Sequence, residues 1–160
     1  MLENLPRVVS AHREDVPGLL EILRQSPEAG SWSESHLLQA LTSDASHFFV
    51  ARQCQEMIGF VCGRSSMDEA EILNLAVKPK FRRQGAGKAL VRHLLQVFAL
   101  EEVVKISLEV RQSNSGAIAF YEGLGFLKVG LRPGYYSRPS EPALILALSL
   151  PNSPSTARTH

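Results

Sequence analysis

The sequence predicts an α/β (α+β) domain with a mixed sheet, and three observations lead to this prediction. Short apolar runs typical of strands alternate with segments whose apolar residues recur at helical spacing. The 160 residues are enough to bury one hydrophobic core. The apolar content of 44% and charged content of 21% are ordinary for a globular protein. We expect one domain over residues 1–150 and a polar, proline-containing tail at 151–160 that is disordered.

The first part of the chain predicts a strand followed by two helices. Residues 7–11 form a short apolar run that favours a strand. Residues 14–26 carry apolar side chains on one side and Pro17 in the first turn, which is typical of a helix start. Residues 31–43 predict a second short helix, with Ser31 and Glu34 at the spacing of a capping box.

The middle of the chain predicts a hairpin, a strand and a long helix. Residues 47–53 and 57–65 are strand-like and are separated by three polar residues, which indicates a hairpin. A further strand is expected at 69–77, ending before Pro79. The pattern is helical from residue 85 to about residue 100.

The last part of the chain predicts the elements that complete the sheet. Residues 103–110 form an alternating run that indicates a strand. Residues 114–126 follow as a helix that ends at Gly125, because a glycine after a helix can take positive φ. Residues 126–131 and 143–150 are the final two predicted strands.

Charge and cysteine content exclude several classes of protein. The net charge of +1 does not favour a nucleic-acid coat or a polybasic membrane anchor. Cys54 and Cys62 form no CxxC or Cys/His pair, and the histidines show no metal-ligand spacing. No apolar run reaches the roughly 18–20 residues needed to span a bilayer, and the N-terminus lacks the order of a signal peptide. The sequence predicts a cytoplasmic protein without a metal.

Residues 78–95 (KPKFRRQGAGKALVRHLL) place two glycines directly before a helix, which indicates an anion site. A P-loop is excluded twice, since Arg82 stands where the first glycine belongs and Ala89 where the magnesium-binding hydroxyl belongs. A dinucleotide fingerprint starting at Gly85 has Leu90 in place of its third glycine. The alternative without function is a solvated basic turn.

The remaining interpretation is the pattern Arg82-x-x-Gly85-x-Gly87 between a strand and a helix. Two positions without side chains let successive N–H groups converge on a pyrophosphate, and the helix adds its positive end. The pattern matches the R/Q-x-x-G-x-G/A signature of the GNAT acetyltransferase superfamily.

Glu109 lies within an apolar strand, where alternation puts it on the opposite face from Leu108 and Val110. A carboxylate on an interior strand is costly unless it is hydrated, is paired with a cation or takes part in binding or catalysis. Glu109 is therefore expected beside a cleft or a cation. The alternatives are a surface pair with Arg111 and a charge on an edge strand.

Tyr121 follows Asn114 by seven residues, so both can share one face of their helix. The alternative for Tyr121 is an aromatic residue of the core that packs with Phe120 and Phe126.

Residues 108–126 (LEVRQSNSGAIAFYEGLGF) closely resemble the corresponding segment of the ribosomal-protein-alanine N-acetyltransferases, a branch of the GNAT superfamily. The likeness extends to the segments SWSE (31–34), EAEILNLAVKPKFRRQGAGKAL (69–90) and RPGYY (132–136), with Ser31 in place of a proline and Phe120 in place of a leucine. From about residue 32 to residue 148 these motifs keep the family order. The resemblance implies the GNAT fold: a mixed, mostly antiparallel sheet of about seven strands, splayed at the cofactor site and flanked by about four helices.

The resemblance also implies a role for each matching residue. Glu109 corresponds to the proton acceptor and Tyr121 to the proton donor. The residues that correspond to the acetyl-CoA site are Leu75, Ala76, Val77, Arg83, Gln84, Gly85, Ala86, Gly87, Lys88 and Asn114. An acceptor groove is expected at Trp32, Tyr135 and Tyr136, although aromatic side chains at such places are as often core or lid packing. No metal is implied.

These residues predict transfer of the acetyl group of acetyl-CoA to the N-terminal α-amine of a protein, by resemblance the alanine of a small-subunit ribosomal protein. The alternatives are acetylation of a small-molecule amine or another protein N-terminus, a non-catalytic acyl-CoA-binding module, and binding of phosphate or nucleic acid. We expect a monomer or weak dimer that binds neither nucleic acid nor membrane. Pro142 replaces one acid of the family's usual pair before the last strand, and if that acid receives a basic substrate tail, the acceptor preference of this chain differs from that of the family.

Overall fold

A computed structural model describes residues 5–137 and 140–151. The helices are α1 (Val16–Arg24), α2 (Glu34–Thr42), α3 (Ala86–Leu100) and α4 (Ser115–Gly123), with short 3₁₀ turns at Arg13–Asp15 and Pro79–Phe81. The strands are β1 (Arg7–Ser10), β2 (Ser46–Gln53), β3 (Glu56–Ser66), β4 (Glu69–Val77), β5 (Lys105–Arg111), β6 (Leu127–Ser137) and β7 (Ser140–Ser149). Most of the tail that is predicted to be disordered, residues 152–160, lies outside the described residues.

The seven strands form one sheet in the order β1-β2-β3-β4-β5-β7-β6. Every neighbouring pair is antiparallel except β4 and β5, which are parallel and joined through α3. The prediction of a mixed, mostly antiparallel sheet with four helices is confirmed. The hairpin between β2 and β3 is also confirmed, and it turns at Cys54 and Gln55 with φ of 50° and 66°. These positive values are those of the tight turns that match the twist of a hairpin.

Helices cover both faces of the sheet, so the core has two parts. On one face α3 contributes Leu90, Leu94 and Phe98, which are fully buried against β5 and Phe126. On the other face α1 and α2 bury Leu19, Ile22 and Leu37 against Phe48 and Phe60. The large buried side chains hold each helix at a fixed place on the sheet.

The predicted capping box at Ser31 and Glu34 is wrong. Ser33 caps α2 instead: its hydroxyl accepts a hydrogen bond from His36 N at 3.3 Å, and Ser33 N donates to His36 Nδ1 at 3.2 Å. The helix therefore begins at Glu34, later than expected. The physical reason lies in Trp32, which packs edge-on against Phe48 with ring centroids 6.4 Å apart and so belongs to the segment before the helix.

Strand β4 contains an extra residue, and this bulge changes the direction of its side chains. Cys62 of β3 lies opposite Asn74, whereas Gly63 lies opposite Ile72, so Leu73 has no partner. Ile72 packs on the α3 face, and Asn74, opposite Cys62, lies on the face covered by α1 and α2.

Strands β4 and β5 separate soon after they begin. Only three residue pairs are in register, and the last is Glu71 with Ser107. Beyond that pair the strands diverge, which is the splay that the fold class predicts. The resulting opening lies between residues 72–77 of β4 and residues 108–111 of β5.

Gly63 sets the distance between the sheet and α3, which leads to a stability prediction. A Cβ atom at Gly63 would lie 2.8 Å from Phe98 Cζ and 2.9 Å from Leu94 Cδ2, and both side chains are fully buried. We expect Gly63→Ala to lower the free energy of unfolding by about 1–3 kcal/mol through overpacking. Thermal or urea unfolding measures the change.

The matched control is Gly123→Ala at the end of α4, where a Cβ atom meets no other atom within 4 Å. This variant should unfold at or slightly above the wild-type temperature, because alanine favours a helix more than glycine does. Equal stability of the two variants would show that α3 is not held at the distance described.

Candidate active site

The opening between β4 and β5 forms a cleft of about 560 Å³. It gathers side chains from β4, β5, α4, the β6 strand and the segment before α2. Of the residues predicted for the site, seven line it: Trp32, Leu75, Glu109, Asn114, Tyr121, Tyr135 and Tyr136. The other predicted cofactor residues lie at the end of β4 (Ala76 and Val77), in the loop that leads into α3 (residues 83–85) and in the first turn of α3 (residues 86–88). The structure thus brings together residues that are up to 104 positions apart in the sequence.

The splay leaves one backbone edge of β4 facing the opening. Lys78 N donates to Ile58 O at 2.8 Å, so the alternating pattern of an antiparallel ladder directs the N–H and C=O groups of Ala76 to β3. The same alternation directs the backbone groups of Leu75 and Val77 away from β3, towards the opening. A ligand that carries amide groups can extend the sheet at Leu75 and Val77.

Two side chains occupy this backbone edge. Asn74 Oδ1 accepts a hydrogen bond from Leu75 N at 2.9 Å. Arg82 Nε donates to Val77 O at 2.8 Å, and the same guanidinium donates to Ser26 Oγ at 3.2 Å and pairs with Glu28. Arg82, the first residue of the glycine pattern, therefore ties the loop after α1 to the end of β4.

The glycine loop has the backbone that an anion site requires. Arg83 and Gly85 both have positive φ, 61° and 94°, and Gly85 is the residue before α3. The first hydrogen bond of the helix joins Ala89 N to Gly85 O, so the N–H groups of residues 86–88 lack partners within the helix. These groups and the positive end of the helix suit a pyrophosphate.

Side chains around the loop leave that end of the helix accessible. Gln84 Nε2 donates back to Lys80 O at 3.2 Å, while Arg83 and Lys88 are exposed. A Cβ atom at Gly87 would lie 3.5 Å from the Phe120 ring, so the N-terminus of α3 packs closely against α4 at this point. The residues present thus fit the diphosphate and amide groups of acetyl-CoA.

Glu109 projects from β5 into the cleft, as its alternation predicts. Glu109 Oε1 pairs with Arg132 Nη2 at 3.1 Å, and the side chain is 20% exposed. Oε2 is buried and has no hydrogen-bond partner. The alternative of a pair with Arg111 is not what the structure shows, since Arg111 Nη1 pairs with Glu141 at 2.9 Å.

Tyr121 reaches the cleft from α4 and is 6% exposed. Its ring meets Phe120 and Phe126 edge-on, with centroids 5.1 and 5.4 Å away. The residue therefore combines the core packing of the alternative interpretation with a place in the wall of the cleft. Burial raises the pKa of the Tyr121 hydroxyl far above its ordinary value, so the phenol stays protonated.

Asn114 begins α4 and lines the cleft beside Tyr121. Its Oδ1 atom accepts a hydrogen bond from Ala117 N at 3.1 Å, which is the usual contact of an N-cap asparagine. The cap fixes the amide orientation, so that the Nδ2 group is the one left for a ligand.

Tyr135 and Tyr136 form one wall of the cleft, and cations hold them in place. Arg132 lies 5.1 Å from the centre of the Tyr135 ring, and Arg111 lies 4.3 Å from that of Tyr136. The charge of Glu109 raises the pKa of Tyr135, and burial raises that of Tyr136.

Glu141, the acid that remains beside Pro142, supports this wall through its contact with Arg111. Its carboxylate accepts hydrogen bonds from Arg111 Nη1 at 2.9 Å, Ser113 Oγ at 3.0 Å and Ser113 N at 3.1 Å. The Arg111 guanidinium lowers the pKa of Glu141. Glu141 thus positions the arginine that lies over Tyr136, and its lone pairs are directed to its own chain.

A second cavity of about 500 Å³ adjoins the cleft and shares Glu71 and Glu109 with it. It continues along the same face of the sheet towards the beginning of β4 and β5. Arg64, which pairs with Glu71 at 3.1 Å, and Lys105 lie on its wall. The two cavities form a continuous groove that passes Glu109.

Sequence reasoning missed three residues of the site: Asn74, Glu71 and Arg132. Asn74 carries a signal in the sequence, because it is the one polar side chain in the otherwise apolar run ILNLAV (72–77). Glu71 near the start of β4 and Arg132 in the middle of β6 belong to segments that resemble the family, but a charge in a strand gives no sign of the partner it will meet. Their place in the site depends on the register of β4 and on the path of β6.

Two further searches concern the described residues alone. Among them, no group of three or more His, Cys, Asp or Glu side chains is arranged to hold a metal ion. Within the same part of the chain, no helix is both long and apolar enough to cross a membrane.

Comparison with known proteins agrees with this geometry. The model of the acetyltransferase (GNAT) family matches residues 16–126. The chain is 35% identical over 145 residues to the ribosomal protein bS18-alanine N-acetyltransferase of Escherichia coli K12, covering 89% of this chain and 97% of that protein.

Solved structures give the same result. The crystal structure of the ribosomal-protein-S18-alanine N-acetyltransferase from Escherichia coli superimposes with a TM-score of 0.81 at 32% identity, covering 93% of this chain and 96% of that one. Ard1 from Thermoplasma volcanium superimposes with a TM-score of 0.84 at 27% identity, covering 92% and 99%. With the splayed β4 and β5 and the glycine loop before α3, these matches show that the chain belongs to the GNAT acetyltransferase family and is an acetyl-CoA-dependent N-acetyltransferase.

Proposed function

We propose that this enzyme acetylates the N-terminal α-amine of a protein, with the N-terminal alanine of a small-subunit ribosomal protein as its acceptor. The observation that carries the proposal is the meeting of Glu109 and Tyr121 in one cleft, at the point where β4 and β5 separate. The bS18-alanine N-acetyltransferase of Escherichia coli, to which the chain is similar over nearly its whole length, supports the choice of acceptor.

The cofactor arm is assigned to the face of the opening near α3 and α4. Acetyl-CoA supplies the acetyl group as a thioester. Asn74 already accepts from Leu75 N–H and Arg82 already donates to Val77 C=O, so the groups offered to the arm are Leu75 C=O and Val77 N–H, in the way that an added strand pairs with a sheet edge. The N–H groups of residues 86–88 hold the diphosphate, and Asn114 Nδ2 donates to the arm from the start of α4. The Ala76 backbone, directed to β3, supports the strand from within the sheet.

Glu109 acts as the proton acceptor. The α-amine of a protein has a pKa of about 7.7–8.0, so a sizeable fraction is neutral near pH 7.4 and a carboxylate is a sufficient base. A lysine side chain, with a pKa of about 10.4, is neutral only about once in a thousand at that pH. The chemistry of the base therefore favours an α-amine over a lysine as acceptor.

Tyr121 acts as the proton donor to the departing sulfur. Because burial raises its pKa, the hydroxyl keeps its proton throughout the range in which the amine becomes neutral. The amine nitrogen forms a bond to the acetyl carbonyl carbon as the carbon–sulfur bond breaks, the amine proton goes to Glu109, and the departing sulfur receives a proton from the Tyr121 hydroxyl. Proton exchange with water then returns Glu109 to the carboxylate and Tyr121 to the phenol. The products are an N-acetylated chain and free coenzyme A.

The proposed acceptor is tested by incubating the protein and acetyl-CoA with an alanine-led peptide and, separately, with a polyamine. We expect mass spectrometry to show one acetyl group on the α-amine of the peptide and none on an internal lysine. Acetylation of the polyamine alone would contradict the proposal and favour a small-molecule acetyltransferase.

Glu109→Gln tests the base. We expect kcat for the peptide to fall about 100-fold at pH 7, within the range for general base catalysis. The loss should shrink as the pH rises above 8, because the amine is then neutral without help. Steady-state rates from pH 6.5 to 9.5 measure both effects.

The matched control for this variant is Glu101→Gln. Glu101 pairs with His47 at 2.9 Å, at the C-terminal end of α3 and away from the cleft. It should keep the wild-type rate and pH profile. If Glu109→Gln also keeps them, Glu109 is not the base.

Tyr121→Phe tests the acid. The ring contacts with Phe120 and Phe126 remain in this variant, so the fold should be kept. We expect kcat to fall about 100-fold while the KM for acetyl-CoA changes little, because the hydroxyl is needed only as the sulfur departs. A wild-type rate for Tyr121→Phe, with coenzyme A binding confirmed by calorimetry, would rule out Tyr121 as the acid.

A further inference from the structure

Two buried side-chain polar atoms among the described residues have no hydrogen-bond partner, and both belong to residues that line the cleft. They are Asn74 Nδ2 and Glu109 Oε2. One is a donor and the other is an acceptor. A buried polar group without a partner is costly, so a donor and an acceptor left together in one cleft indicate a ligand that carries both complementary groups.

The orientation of the Asn74 amide is fixed by its neighbour. Leu75 N–H can only donate, so the atom that faces it at 2.9 Å is the amide oxygen. Nδ2 is therefore the group directed elsewhere, and the residue is only 7% exposed. A Cβ atom built at Gly30 would lie 3.7 Å from Nδ2, so this donor faces the segment that carries Trp32.

Asn74 and Glu109 lie at the same level on either side of the opening. Glu71 and Ser107 form the last pair in register between β4 and β5. Glu109 is two residues beyond that pair and Asn74 is three beyond it, and the bulge at Leu73 absorbs the difference. The same bulge turns Asn74 to the face of the sheet on which Glu109 lies.

We propose that Asn74 recognises the acceptor's first carbonyl group. Asn74 Nδ2 donates to the carbonyl oxygen of the first residue while Glu109 Oε2 accepts from the α-amine. The pair thus selects an amine on the carbon next to a carbonyl, which is the feature that separates a protein N-terminus from a lysine side chain or a polyamine. An acceptor without that carbonyl leaves the buried Asn74 donor unpaired and is disfavoured for that reason.

This specificity role rests on the proposed function, and it is tested with a pair of substrates. One is an alanine-led peptide. The other is its alkene isostere, in which a carbon–carbon double bond replaces the first peptide bond, so that the primary amine and the shape remain while the carbonyl and the amide N–H are lost. For each, kcat/KM is measured at several pH values and expressed per neutral amine. The wild-type enzyme should prefer the peptide at least tenfold.

Two variants remove the Asn74 donor in different ways. Asn74→Asp keeps an oxygen for Leu75 N–H, and Asn74→Leu is apolar and of similar shape. In both, the preference for the peptide over the isostere should fall to about twofold or less, even where the overall rate also falls. This ratio isolates the contact, because a general loss of structure lowers both substrates together.

The outcomes are distinct. If the wild-type enzyme uses the peptide and the isostere with a kcat/KM ratio near one, the role of Asn74 is overturned whatever the variants do. The role is also overturned if either variant keeps the wild-type ratio of peptide to isostere. Thermal melting and coenzyme A binding must first show that this variant is folded. If the wild-type enzyme acetylates a polyamine but no alanine-led peptide, the proposed function itself fails and this inference fails with it.

Discussion

The parting of β4 from β5 after three residue pairs is the constraint on which the site depends. Two parallel strands in the middle of a sheet normally keep their backbone groups paired, because an unpaired buried N–H or C=O group is costly. Here Leu75 and Val77 direct such groups into an opening. Asn74 accepts a hydrogen bond from Leu75 N–H, and Arg82 donates one to Val77 C=O. The cost of the splay is thereby reduced without closing the gap, and a ligand's amides can pair with the same edge.

The bulge at Leu73 connects this backbone edge to the choice of acceptor. Without the extra residue, the alternation of β4 would place Asn74 with Ile72 on the face covered by α3. With it, Asn74 reaches Leu75 N–H with its oxygen and faces the Trp32 segment with its nitrogen. One irregular residue therefore places a side chain between the two sides of the opening, which the proposed function assigns to the cofactor arm and to the acceptor.

The sequence predicts the elements of this fold well, because each has a local cause. The boundaries of β4 and the start of α3 follow from Pro79 and Gly85, and the alternation of β5 places Glu109 on the open face as expected. The predicted cap of α2 is wrong because the spacing of Ser31 and Glu34 gives no information on where Trp32 packs.

The site itself is only partly readable from the sequence. Motif likeness predicts which side chains belong to it, but the register between β4 and β5 and the bulge at Leu73 leave no local pattern. The sequence also does not predict the pairs of Arg132 with Glu109 and of Arg111 with Glu141. The partner of a charged residue in a strand depends on which strands become its neighbours.

The pair between Glu109 and Arg132 explains how a carboxylate, the base of the proposed function, is kept in the cleft before an acceptor arrives. A lone carboxylate partly removed from water is costly, and Arg132 supplies the opposite charge at 3.1 Å. The Arg132 side chain is 54% exposed, and an ion pair with so exposed a partner contributes only about 0–1 kcal/mol. The pair uses Oε1 alone, so Oε2 stays available to the α-amine of an acceptor. Because Arg132 also lies over the Tyr135 ring, one side chain holds both the carboxylate and the aromatic wall in place.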